Sequence, residues 1–175
     1  MTRRNVMKKK SIRLLTTTAL FAALITIMTA YIFHIPVGLN GGYIHFGDSL
    51  IYIAACLLPR PYALLAASIG GGLADLLTAP MWAPATIIIK AIITLPFTSK
   101  GNSIISVRNV VATVIAYLLS GFGYFIAEAI LFGTQAALLV SLSQSLIQSG
   151  GSAIVFVIVG LFLDKLKFKQ SERFL

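Results

Sequence analysis

Long apolar runs interrupted by short polar clusters dominate the chain. A membrane-crossing helix needs about 20 mostly apolar residues, and segments 12–33, 48–58, 62–78, 82–98, 108–131 and 138–163 approach that criterion. The second is short, and its start is read anywhere between Tyr43 and Asp48. Between the runs stand Pro36 and Gly38, Pro59-Arg60-Pro61, Pro80 and Pro84, Lys100-Gly101-Asn102 and Gly133, residue types that stop or turn helices. The pattern predicts an all-α membrane protein of six transmembrane helices in a single integral-membrane domain, 1–175, with basic tails at 1–11 and 164–175. The basic start followed by an apolar run imitates a signal peptide. The run is long and no small-residue cleavage site follows, so it is read as a span.

Charge orients the spans. With the N-terminus cytoplasmic, the inner segments hold Arg3, Arg4, Lys8, Lys9, Lys10 and Arg13, then Arg60, then Lys100 and Arg108, then Lys165, Lys167, Lys169 and Arg173. These are thirteen of the 14 Lys and Arg residues, and the external loops near 34–47, 79–81 and 132–137 hold none. Such a partition is what the positive-inside rule demands. Five or seven spans would leave one basic terminus outside, so the expectation is both termini cytoplasmic.

Composition narrows the class. Apolar residues make up 58% of the chain, charged ones 11%, and mean hydropathy is +0.93. A soluble domain carries roughly a quarter charged residues. A cytosolic enzyme, a disordered tail and a free nucleic-acid binder are therefore excluded. The net charge of +9 flanks apolar runs and reads as topology, not as a phosphate-binding face. The single cysteine, Cys56, forms no internal disulfide and alone is no metal site. A Walker loop, zinc-ligand spacing and a nucleophile with a base are all missing; Gly70-Gly71-Gly72 reads as a helix-packing surface.

The fourteenth basic residue, Lys90, lies within the fourth span, where an ionisable side chain is expensive and needs a partner. At 1.5 Å per residue it sits about 12 Å below Trp82. In the same topology Asp75, Glu128, Gln144, Gln148, His45 and Asp48 all fall in the outer half, and the inner half shows almost no buried polar groups. The expectation is a cup opening outward. Thr86, Lys90 and Thr94, Tyr124 and Glu128, and Ser141, Gln144, Ser145, Gln148 and Ser152 each form a line on one helix face. Trp82 and Tyr124 offer faces for a flat ring, and glutamine amides both donate and accept. Such a pocket suits a small, weakly charged organic molecule. Each feature also has a plainer reading: Lys90 as ion-pair partner of Glu128 or Asp75, Trp82 as an interface anchor, Asp75 as a turn brace, the serines as packing contacts. Ala19 and Ala23, four apart on the first span, permit close helix approach, inside the fold or as a docking face for another membrane protein.

The string Gly42-Tyr43-Ile44-His45-Phe46-Gly47-Asp48, then Gly70-Gly71-Gly72-Leu73-Ala74-Asp75-Leu76-Leu77, then Trp82-Ala83-Pro84 leading to Ile89-Lys90, resembles the substrate-binding S components of energy-coupling factor (ECF) vitamin transporters. The pattern is similar to the subgroup linked with hydroxymethylpyrimidine, pyridoxine and riboflavin-like substrates. The resemblance covers essentially the whole chain and implies a six-helix fold whose first external loop covers the ligand. It also implies a transmembrane coupling (T) subunit, two ABC ATPases that use ATP in place of any cofactor in this chain, and residence in a bacterial plasma membrane. Under it His45, Trp82, Lys90, Tyr124, Glu128, Gln144 and Gln148 are ligand-facing, Asp48 and Asp75 orient the loop or face the ligand, and Ala19 and Ala23 contact the T subunit. The leading expectation is capture of a hydroxymethylpyrimidine- or pyridoxine-type ring. Pantothenate and riboflavin are alternatives, as is a stand-alone ion-coupled carrier using Glu128 and Lys90. An intramembrane enzyme is disfavoured for want of a nucleophile and base.

Overall fold

A computed structural model of the chain describes residues 3–32, 34–37, 42–133 and 137–170, with backbone only for 3–10, 37 and 137–140. The tip of the first expected external loop, residues 134–136 of the third, and Arg173 lie outside the described residues. The elements are α1 (Arg3–Ala30), β1 (Ile35–Val37), β2 (Gly42–Ile44), α2 (Asp48–Leu57), α3 (Arg60–Thr78), a 3-10 turn (Pro80–Trp82), α4 (Ala83–Ile92), α5 (Val107–Phe132) and α6 (Ala137–Lys165), closing with a 3-10 turn (Phe168–Gln170).

Six helices stand at the six expected places, but they are not equal. Four carry stretches long and apolar enough to cross a membrane: Ser11–Ala30, Arg60–Thr78, Val107–Phe132 and Ser141–Lys165. α2 and α4 have 10 residues each, about 15 Å of helix against a hydrocarbon core of about 30 Å. The short α2 agrees with the short second run of the sequence, and α4 is shorter than its run, 82–98. α4 stops at Ile92, although the apolar run continues to Thr98, because Pro96 has no N–H to offer and crowds the carbonyl four residues back. Tight i→i−3 bonds follow instead, from Thr94 N to Ala91 O and from Leu95 N to Ile92 O. α2 is short for its company. Ile51, Tyr52, Ala54, Cys56 and Leu58 are fully buried, so it is a core helix wrapped by the longer ones.

The first loop also departs from an all-helical reading. Residues on either side of its tip pair as an antiparallel hairpin with Ile35 opposite Ile44, Pro36 opposite Tyr43 and Val37 opposite Gly42. Pro36, read from sequence as a breaker, sits in a strand at a sheet edge, the one place in a ladder that tolerates it.

The glycine triplet sets helix spacing. A Cβ at Gly70 would lie 2.7 Å from Ile25 Cβ and 2.8 Å from the Ala22 carbonyl of α1, and Thr26 Oγ1 donates to Gly70 O at 3.0 Å. A Cβ at Gly71 would lie 2.7 Å from Lys90 Cγ, and one at Gly72 2.5 Å from Ile87 Cγ1. α3 is thus clamped between α1 and α4 at distances only glycine permits. At the far end, Asn109 is fully buried. It accepts from Thr98 N at 3.0 Å and donates to Ile104 O at 2.8 Å and Thr98 O at 3.2 Å. Asp164 accepts from Ile104 N and Ile105 N at 2.7 and 2.9 Å. The expectation of an almost apolar inner half is therefore wrong. The chain has to turn there between α4 and α5, and its freed backbone groups require buried partners.

Candidate functional site

The site is assembled where the hairpin meets the starts of α2 and α4 and the ends of α3 and α5. Asp48 opens α2 and is fully buried. Lys90 Nζ donates to its Oδ1 at 2.6 Å, and Gln148 Nε2 to its Oδ2 at 2.9 Å. Both carboxylate oxygens are thus occupied, and the ion pair, 1% and 0% exposed, is net neutral. Sequence reasoning offered Glu128 or Asp75 as the partner of Lys90; the structure gives Asp48. Asp75 instead accepts from the Tyr43 hydroxyl of β2, which ties the hairpin to α3. Glu128 accepts from Ser141 Oγ at 2.7 Å.

Aromatic rings form the wall above this floor. Tyr43 stacks on His34 with centroids 4.0 Å apart. Trp82 meets Tyr124 edge to face at 6.0 Å, and Lys90 Nζ lies 5.5 Å from the Tyr124 ring centre. Thr86 Oγ1 and the Tyr124 hydroxyl share a hydrogen bond of 3.0 Å. In the loop, Gly47 N–H donates to His45 Nδ1 at 3.0 Å. A backbone N–H can only donate, so Nδ1 is unprotonated and Nε2 carries the hydrogen. Burial, reinforced by the Lys90 cation, pushes the His45 pKa down to about 3, which keeps the ring a neutral Nε2–H donor. Burial, with the Asp75 carboxylate behind it, raises the Tyr43 phenol well above its ordinary range, so it remains a proton donor to Asp75.

These groups enclose a cavity of about 60 Å³, lined by Thr29, Tyr43, His45, Asp75, Trp82, Thr86, Lys90, Tyr124, Ser141, Gln144, Ser145 and Gln148. That volume holds a few waters and is far below the several hundred Å³ of a ligand site. A ring therefore needs the walls of the cup to move apart. His45, Asp75, Trp82, Lys90, Tyr124, Gln144 and Gln148 line the cavity as a set; Asp48 lies beneath it and Glu128 behind Ser141. Tyr43, Thr86, Ser141 and Ser145 belong to strings and stripes visible in the sequence. Thr29 had no such signal, because it sits in the apolar run of α1. Its hydroxyl is buried on the cavity with no hydrogen-bond partner among the described residues.

Ala19 and Ala23 are exposed on α1, whereas Ala22 and Ile25 on the adjoining face are buried against α3. The pair therefore takes no part in packing the described fold.

Comparison with known proteins gives two matches. Residues 9–166 match the family described as ECF-type riboflavin transporter, S component. A protein of Pyrococcus woesei, described as an uncharacterized protein in gap 3'region, is 27% identical over 140 residues, spanning 79% of this chain and 93% of its own length.

Proposed function

We propose, from the premise that this chain belongs to the family of ECF-type riboflavin transporter S components, that it captures a small heteroaromatic vitamin or precursor of hydroxymethylpyrimidine or pyridoxine type. The chain is a multi-pass membrane protein and a vitamin-type substrate-binding subunit of a transporter, not an enzyme. S components of this class work with a T subunit and two ABC ATPases, and the proposal assigns those partners to this chain. It also sets both termini in the cytoplasm and the cup outward in a bacterial plasma membrane, on the distribution of basic residues.

The observation that carries the substrate class is the floor of the cup. A neutral Lys90–Asp48 pair with the Gln148 amide bound to it suits ring nitrogens and hydroxyls, and Trp82 and Tyr124 suit the ring faces. Pantothenate fits less well, because its carboxylate would compete with Asp48 for a cation already held at 2.6 Å. Riboflavin, named in the description of the matching family, is a second reading; its tricyclic ring needs a much wider cup. The reading as an ion-coupled carrier, which pairs Glu128 with Lys90, gains no support from the geometry, since Lys90 is bound to Asp48 and Glu128 accepts from Ser141.

Trp82 is the sole tryptophan and lines the cavity, so its fluorescence reports binding directly. We expect saturable quenching of the purified chain by hydroxymethylpyrimidine or pyridoxine. Gln148→Ala should weaken it about tenfold or more, the cost of an unmet hydrogen bond to a charged group. Saturation by riboflavin alone would replace the proposal with the second reading. Silence to every vitamin, with a response to pH or sodium, would favour the carrier.

The exposed small face of α1 is proposed as the T-subunit contact. Ala19→Leu with Ala23→Leu should leave vitamin binding unchanged and abolish co-purification with a T subunit. Assembly that survives the double change removes α1 from the interface.

A further inference from the structure

The end of the bundle opposite the cup contains a larger cavity, about 390 Å³, lined by Pro59, Arg60, Thr94, Thr98, Ser99 and Lys100 with apolar residues behind them. α3 runs from Arg60 at this cavity to Asp75 at the cup, so roughly 22 Å of helix separates the two. We propose that this cavity binds a phosphate group, carried either by a lipid headgroup or by a soluble phosphate ester.

The chemistry differs sharply from that of the cup. Arg60 and Lys100 are exposed, and neither forms an ion pair with a described residue. Two cations on one concave wall, without an ion-pair partner among the described residues, set up a positive potential that an anion relieves. Arginine supplies the planar fork that matches two phosphate oxygens, and lysine a point charge. Hydroxyls complete the donor set. Thr98 Oγ1 accepts from Lys100 N–H at 3.2 Å, which leaves its own proton free to donate, and Ser99 stands beside it on the wall. The wall is rigid where it matters, since Thr98 is held through both its N–H and its carbonyl by Asn109. α3 also begins here without a side-chain cap, so the positive end of its dipole adds to the same potential.

The test is thermal unfolding of the purified full chain in neutral detergent, with inorganic phosphate, short-chain phosphatidylglycerol or short-chain phosphatidylcholine added. Stabilisation of the wild-type chain by an anionic probe should raise Tm by about 5 °C near saturation. Phosphatidylcholine should do so more weakly, because its choline cancels the charge. Arg60→Gln with Lys100→Gln should abolish the shift while leaving the unliganded Tm unchanged, since both side chains are exposed. A shift with phosphatidylglycerol alone assigns the lipid as source; a shift with inorganic phosphate as well assigns the free phosphate group. No shift with either anion, or an equal shift in the double variant, overturns the proposal. A vitamin response through Trp82 that persists in the double variant shows the failure is confined to this cavity.

Discussion

Replacing Lys90 by methionine is expected to destabilise the chain by about 3–5 kcal/mol, the usual consequence of leaving one member of a buried ion pair alone. Asp48 would keep its Gln148 hydrogen bond but lose its counter-charge while fully buried. For a chain of this length that corresponds to a fall in Tm of about 10 °C. Asp48→Asn should cost a similar amount by stranding the ammonium. The two together should recover much of the loss, because a neutral amide and a thioether of similar bulk carry no unpaired charge. The cycle, read as Tm in detergent, separates pairing from packing. If the double variant is as unstable as the sum of the singles, the pair is not what holds this floor together. Vitamin binding should fall in all three, because each single variant leaves a lone charge on the cavity floor and the double variant removes the ammonium and the carboxylate together.

Gly71→Ala should also be costly, against what helix propensity predicts. Propensity alone favours alanine by about 1 kcal/mol in a helix interior. The added Cβ, however, would lie 2.7 Å from Lys90 Cγ and 3.2 Å from Thr86 Cγ2. Cγ is the root of the lysine stem, so the side chain cannot yield by swinging its tip. Relieving the clash moves Nζ away from Asp48 or pushes α4 off α3. The expected balance is a net loss of about 1–3 kcal/mol, with tenfold or weaker vitamin binding. Gly150→Ala is the matched control. It also lies in a helix and has open space around the same position, so it should be neutral or slightly stabilising. Equal behaviour of the two variants would mean that the close approach of α3 and α4 has no energetic weight.

The sequence made Lys90 legible as a residue in need of a partner but left its partner open. The cost of a charge within an apolar run is a local fact, whereas the nearest carboxylate is a matter of which helices meet. Asp48 lies 42 positions away and Gln148 reaches it from 100 positions away. Spacing favoured carboxylates near the outer helix ends, and Glu128 and Asp75 met that description as well as Asp48 did. The polar stripes on α4 and α6 could be read because a helical face follows from intervals of three and four. Thr29 could not, because nothing in an apolar helix marks one hydroxyl as cavity-facing until α1 is packed against the loop. The hairpin was missed because its strands are three residues long, too short for alternation to show, and because Pro36 argued against pairing.

By itself the sequence determined that this is a helical membrane protein, where its helices lie, and which polar faces they carry. Those are consequences of apolar length, of proline and glycine breakers, and of the cost of charge in hydrocarbon, all of which act over short stretches of chain. Only the tertiary structure decided that α4 is cut to 10 residues, that the lysine is neutralised by Asp48, and that a tyrosine-tethered hairpin stands beside the cavity. The reason is physical: partner choice, helix depth and enclosure depend on contacts between residues far apart in sequence, and no local periodicity records them.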